Sequence, residues 1–317
     1  MLGALEASEP AQGPLVTAII PTRNRPTLLM RAVRSALNQT YHDIEIVVVI
    51  DGQDPATVAA VGSVGDARLR VVDVRESVGS ADARNIGVRH AKGEWVAFLD
   101  DDDEWMPQKI ERQLDCARHS KFNNPVVACR VVGRTPHRDF IWPRRFPKHE
   151  EPLSEYLFAR NSWFRGEGQM QTSMILARRQ LMLAVPFTSG MSRNDDTDWY
   201  VRIGVREDVG VEFADDPLAI WYVEEARRCV SAQHDWQRTY AWLKGVQGLI
   251  TRRAYAGYLA TQLAAEAHRQ RAWAAFFPLL GDMFRRGEPR PIDLALYLGN
   301  WAMPESLRSQ IRSILCK

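Results

Sequence analysis

The sequence predicts an α/β protein built on a doubly wound, mostly parallel sheet flanked by helices and followed by a C-terminal α-helical region. Three observations carry this. Strand-like and helix-like segments alternate four times over the first 120 residues, as parallel sheets with crossover helices require. The strand-like runs are short, β-branched and continuously apolar, which suits strands buried on both faces. From about residue 225 apolar residues recur at three- and four-residue spacing, with Gly287 and Pro291 as punctuation, the pattern of amphipathic helices.

In order, "LVTAIIP" (15–21) reads as a first strand, 27–38 as a helix, and "IEIVVVI" (44–50) as a second strand. A helix near 55–63, the strand "RLRVVDV" (68–74), a helix near 80–91 and the strand "EWVAFLD" (94–100) follow, then a helix over 107–119 opened by Pro107. A further strand, "PVVACRVV" (125–132), precedes a long segment rich in Pro, Gly, Arg and aromatic residues. The opening 14 residues lack a basic and apolar signal-peptide pattern and read as a loose leader.

Composition narrows the class. At 317 residues with 45% hydrophobic and 25% charged side chains, the chain can bury a full core as one or two domains. A net charge of +2 supplies no global field for nucleic acid. Four scattered cysteines without a CxxC pair argue against a zinc ribbon or disulfide framework and fit a reducing cytoplasm. No run of about 18 uncharged apolar residues suggests a membrane span.

The chemistry concentrates in "AFLDDDDEWMP" (97–107), where Asp100, Asp101, Asp102 and Asp103 close the fourth strand. Ligands of doubly wound sheets bind at the carboxyl ends of strands, and Asp51 closes the second strand in "VVVIDGQDP". Carboxylates gathered there suit a hard divalent cation, Mg²⁺ or Mn²⁺, that shares its shell with diphosphate oxygens. The plainer alternative is a solvated loop, with Asp103 as a helix cap.

Taken as an ordered set, "VTAIIPTRNRPTLLMRAVRSALNQTYHDIEIVVVIDG", "VGSADARNIGVRHAKGEWVAFLDDDDEWMPQKIERQL", "GEGQMQTSMILARRQLMLAVPF" and "DDTDWYVRIG" resemble the family 2 glycosyltransferases of GT-A fold, of the bacterial polysaccharide type. The resemblance covers about residues 15–205. It implies that Pro21, Thr22, Arg23 and Asn24 lie against a nucleotide, that Asp51 holds its base, and that Arg84, within Ala83-Arg84-Asn85, lies near it. It makes Asp100 and Asp102 the DxD pair, with Asp102 the better metal ligand. It draws the catalytic base from "NDDTDW", where Asp196 is the choice; a general base must take the acceptor hydroxyl's proton as that oxygen attacks the anomeric carbon. The plainer alternative for these aspartates is helix capping, with Asp198 pairing along the helix to Arg202. Two departures stand out: Ile50-Asp51-Gly52-Gln53 has one acid where relatives carry two, and Asp195-Asp196 replaces the usual Glu-Asp.

The implied organisation is a leader (1–14), a GT-A catalytic domain (15–224) with a nucleotide-sugar half (15–120) and an acceptor half (121–224), and the helical region (225–317). In the acceptor half, Arg134, Arg138, Arg144, Arg145 and Lys148 interleave with Phe140, Trp142, Phe146, Trp163 and Phe164. Aromatic faces for sugar and cations for phosphate would make this an acceptor lid. Single-stranded nucleic acid would suit the same mixture, but no nucleic-acid module accompanies it. Residues 251–317 hold ten basic and five acidic residues; with Trp273, Phe276 and Phe277 they permit docking on an anionic inner membrane face. Packing on the catalytic domain or on a twin subunit is the plainer account.

The resulting expectation is a cytoplasmic, metal-dependent, inverting glycosyltransferase. It would use a nucleotide diphosphate sugar, with a UDP-sugar expected first, and a glycan or lipid-linked acceptor in surface polysaccharide assembly. Its rivals are a non-catalytic nucleotide-sugar binder and a sugar nucleotidyltransferase; the chain lacks the latter's Gly-rich phosphate loop after the first strand.

Overall fold

A computed structural model describes residues 13–163, 167–191, 193–223 and 235–302. The leader up to residue 12, Phe164 and the tail from 303 lie outside the described residues. The N-terminal half builds β1 (Val16–Thr22), α1 (Pro26–Leu37), β2 (Ile44–Asp51), α2 (Pro55–Gly62), β3 (Leu69–Val74), α3 (Ser80–His90) and β4 (Trp95–Phe98). β3, β2, β1 and β4 are neighbours in that order, and all three pairings are parallel. β2 shows why such strands read as unbroken apolar runs. Ile46, Val48 and Ile50 enter the core under α1, while Val47 and Val49 enter the core under α3.

Beyond β4 the sheet becomes mixed. β5 (Glu104–Trp105), α4 (Lys109–Arg118), β6 (Asn124–Arg134), β7 (Asp139–Trp142), α5 (Leu153–Phe158), β8 (Leu176–Arg178), α6 (Arg179–Ala184), α7 (Asp195–Ile203) and β9 (Val209–Tyr222) follow. The sheet continues β4-β8-β6-β9-β5, with β6 and β9 parallel, the other pairings antiparallel, and β7 hydrogen-bonded to β6. Two local expectations change. The helix expected from Pro107 starts at Lys109 because β5 intervenes. The segment after β6 carries a hairpin and α5, because Trp142 packs on the core and Phe146 stacks on Phe213 at 4.7 Å.

The helical region comprises α8 (Trp236–Gly245), α9 (Arg252–Tyr258), a π-turn (Leu259–Leu263), α10 (Ala264–Arg269), α11 (Phe276–Arg286) and α12 (Pro291–Ala302). Its core is continuous with Phe158 of α5 and Val201 of α7, so it rests on the elements that carry the acidic "NDDTDW" segment.

Two glycines permit close approaches. A Cβ at Gly87 would lie 2.3 Å from Cγ2 of Ile19, so α3 sits hard against β1. A Cβ at Gly257 would lie 2.4 Å from the backbone oxygen of Phe158, where α9 meets the end of α5. Gly257→Ala should therefore destabilise the protein by about 1–3 kcal/mol through overpacking, although the same change at an open helical site stabilises by about 1 kcal/mol. Urea unfolding reads the sign, and a raised midpoint would show that the helical region does not seat on α5 in this way.

Candidate active site

The four aspartates alternate. Asp101 and Asp103 are 1% and 3% exposed, whereas Asp100 and Asp102 are half-buried. The inward pair is anchored: Thr22 Oγ1 donates to Asp101 Oδ2 at 2.6 Å, and Ser173 Oγ donates to Asp103 Oδ2 at 2.6 Å. Asp103 is thus an anchor rather than a helix cap. Arg25 reaches Asp101 Oδ1 at 2.7 Å and Asp102 Oδ2 at 3.0 Å. Burial pushes the Asp101 carboxyl up to about 7 against the pull of Arg25 and Thr22. Thr22 therefore supports the aspartate loop from β1, and Asp102 is held between two buried carboxylates.

Arg84 joins this loop to the second acidic segment. From α3 its Nη2 reaches Asp100 Oδ1 at 2.6 Å and its Nη1 reaches Asp195 Oδ2 at 2.5 Å. Thr172 donates to Asp100 Oδ2 at 3.0 Å and Ser80 to Asp195 Oδ2 at 3.1 Å. Burial disfavours the Asp100 charge, but Arg84 and Thr172 outweigh it and hold the carboxyl below its ordinary range. Next to Arg84, Asn85 exchanges paired hydrogen bonds with the backbone of Phe187, at 2.8 and 2.9 Å. This fixes α3 against the chain that leads into α7.

Asp196 stands apart from these ion pairs. It is half-buried at the start of α7 and accepts hydrogen bonds from Thr197 N and Thr197 Oγ1 at 2.6 and 3.1 Å. Burial, reinforced by the charge of Asp195, pushes its carboxyl up to about 6, with Arg84 pulling the other way. Asn194, with φ 57°, turns the chain into the helix without a side-chain cap. Three contacts from the helical region hold this turn. Trp242 Nε1 donates to Asp198 Oδ1 at 2.9 Å, Asn194 Nδ2 donates to Tyr258 Oη at 3.1 Å, and Arg193 pairs with Glu266 at 2.7 Å. Asp198 also pairs with Arg202 at 2.8 Å, as its four-residue spacing predicts.

Other predicted residues sit around this centre. Asp51 is 6% exposed and accepts from Ser77 Oγ, Val78 N and Gly79 N at 2.9, 2.6 and 3.0 Å, which fixes the turn into α3. Pro21 is half-buried, Arg23 and Asn24 are exposed, and Asn24 N donates to Asp54 Oδ2 at 2.9 Å. In the expected lid, Arg134 pairs with Asp139 and Arg145 with Glu151, so these cations are matched within the segment. Trp163 is 55% exposed. Arg25, Thr172, Ser173 and Tyr258 were not foreseen. Arg25 had a signal, since four clustered carboxylates require a nearby cation.

The donor set suits a hard cation. Asp100 and Asp102 are half-buried carboxylates two residues apart, and a cation bound there would compete with Arg84 at Asp100 and with Arg25 at Asp102. Among the described residues no three His, Cys, Asp or Glu side chains converge on a metal position. Mg²⁺ and similar ions held by one or two carboxylates and a diphosphate need no such cage.

Comparisons with known proteins agree with this geometry. Residues 17–185 match the family model described as "Glycosyl transferase family 2". The chain is 37% identical over 100 residues, 32% of its length and 40% of the relative's, to the Escherichia coli "UDP-Glc:alpha-D-GlcNAc-diphosphoundecaprenol beta-1,3-glucosyltransferase WfaP". The matches span less than half the length of the curated relatives. In fold it is similar to S. aureus TarS 1-349 solved in complex with UDP-GlcNAc (TM-score 0.61, 15% identity, 93% of this chain and 92% of that one). It is also similar to mannosyltransferase PcManGT from Pyrobaculum calidifontis in complex with GDP-Man and Mn²⁺ (TM-score 0.58, 20% identity, 96% and 85%). The sheet and its flanking helices are of GT-A type, and with a family match over more than half its length the chain belongs to glycosyl transferase family 2.

Proposed function

We propose that this chain transfers a sugar, with inversion, from a nucleotide diphosphate sugar to a hydroxyl of a glycan or lipid-linked acceptor at the cytoplasmic side of a membrane. The observation that carries the proposal is the Arg84 bridge, which brings the outward carboxylate Asp100 and the acidic pair Asp195-Asp196 to one place. Similar proteins support the substrate classes: a UDP-Glc donor and a diphosphoundecaprenol-linked acceptor for one, GDP-Man with Mn²⁺ for another. A UDP-sugar is the donor proposed here.

Asp100 and Asp102 would hold Mg²⁺ or Mn²⁺, which when bound offsets the charge of the diphosphate leaving group. Pro21, Arg23, Asn24 and Asp51 would lie on the nucleotide side of the site. Asp196 accepts the acceptor hydroxyl's proton as the new bond forms between that oxygen and the anomeric carbon and the bond to the diphosphate breaks. A carboxylate poised near 6 is ionised at neutral pH yet more basic than an ordinary aspartate. Asp195, already paired with Arg84, is the worse base.

Removing each carboxylate separates the two roles. Asp102→Asn should abolish the Mn²⁺-dependent thermal shift given by UDP, whereas Asp196→Asn should keep that shift and lose about 10²–10⁴-fold in turnover with a UDP-sugar. Full activity in Asp196→Asn would remove it as the base. A UDP shift without transfer in the parent protein would favour the non-catalytic binder.

The pH dependence follows from the same carboxyl. The kcat/KM for transfer should climb about tenfold per pH unit at low pH and level off above about 6. Stability should run the opposite way. A pKa raised from 3.8 to about 6 means that the folded protein binds this proton more tightly than the unfolded chain, so stability is lost as pH rises through that window. Asp196→Asn should therefore be more stable than the parent above pH 6, by about 1–2 kcal/mol after discounting for partial exposure. That gain should vanish below 3.8, and an equal difference at every pH would contradict the assignment.

A further inference from the structure

α11 is apolar on both sides. Leu279 and Met283 face the core, as a packed helix requires. The opposite side should be polar, yet Phe277 is 78% exposed and Phe284, two turns further on, is 54% exposed. Half-buried Leu280 lies between them, and Trp273, 57% exposed, precedes them by one turn. The spacing 277, 280, 284 places these α11 side chains along one ridge, and Trp273 belongs to the 3-10 turn that leads into the helix. Gly281 adds no bulk beside it, because a Cβ there would meet nothing within 4 Å. The ridge is anchored from behind: Phe276 packs against Tyr297 at 5.4 Å and Trp273 against Trp301 at 5.7 Å.

The exposed charge of the helical region is one-sided. Among the described residues from 251 onward, the acids Glu266, Asp282 and Asp293 are buried and only Glu288 is exposed. Asp282, the one acid on α11, is turned inward and accepts from Tyr255 Oη at 2.5 Å, Arg286 Nε at 2.8 Å and Arg285 Nη2 at 3.1 Å. Arg252, Arg269, Arg271, Arg285 and Arg290 are exposed. An exposed aromatic ridge on a region whose exposed charges are mostly basic suits a helix lying in a lipid interface, with rings at the acyl boundary and guanidinium groups among anionic headgroups. No helix among the described residues is long and apolar enough to cross a membrane, so the contact would be peripheral.

We propose that the exposed face of α11, with Trp273, Phe277 and Phe284, is a docking surface for an anionic lipid bilayer. The proposal stands on this surface and not on the reaction assigned above. The test is co-sedimentation of the full chain with phosphatidylcholine vesicles with and without phosphatidylglycerol. Binding should require phosphatidylglycerol, weaken with added salt, and fall at least about tenfold in Phe277→Glu/Phe284→Glu, whose thermal midpoint should match the parent's because both side chains are exposed. Failure to bind phosphatidylglycerol vesicles, or equal binding by parent and variant, would overturn it. Equal binding to neutral vesicles would remove its electrostatic basis and overturn it as stated. A parent that dimerises through this face, with the variant monomeric and neither binding vesicles, would assign the face to a second copy instead.

Discussion

Arg84 is the constraint on which the rest of the site depends. The residue is 6% exposed, and its guanidinium bridges carboxylates from two separate parts of the chain, Asp100 after β4 and Asp195 at the head of α7. A buried cation is costly unless it is paired and hydrogen-bonded, so the two acidic segments must converge wherever α3 delivers that side chain. α3 in turn has little freedom: Gly87 seats it against Ile19, and Asn85 clips it to Phe187. With Arg84 committed to Asp195, neighbouring Asp196 is left outside the ion pair, and burial with the adjacent Asp195 charge raises its proton affinity.

The helical region belongs to the same arrangement. Trp242, Tyr258 and Glu266 hold Asp198, Asn194 and Arg193, on either side of Asp195-Asp196. The turn carrying the proposed base is therefore gripped from the sheet side by Arg84 and from the helical side by these three residues. If α11 rests on a bilayer, the grip would also tie the turn of the proposed base mechanically to the surface where the proposed lipid-linked acceptor would reside.

The parallel half of the fold was legible in the sequence because its strands are covered on both faces, which forces runs such as "IEIVVVI". Of the later strands only β6 was, as "PVVACRVV". β5 and β8 have two and three residues, too few for a period. β9 carries exposed Asp215 and Asp216 opposite a register shift in β6, so its middle reads as a loop and only its parallel pairing with β6 makes it a strand. Within the site, the aspartate run was conspicuous, but its inward and outward members were not, since four identical residues contain no pattern. Their orientation is decided by Thr22, 79 positions from Asp101, and Ser173, 70 positions from Asp103. Arg25 escaped notice for the same reason, because its partners are 76 and 77 positions away.

The most direct measurement is on Arg84→Lys, which keeps the charge but cannot span two carboxylates with a planar fork. If the bridge organises the site, the variant should still fold, lose most of the Mn²⁺-dependent UDP shift, and fall at least about 10²-fold in sugar transfer through misplacement of both acidic segments. A lysine variant with the parent's UDP shift and turnover would contradict the account, because the two acidic segments would then be positioned without the bridge.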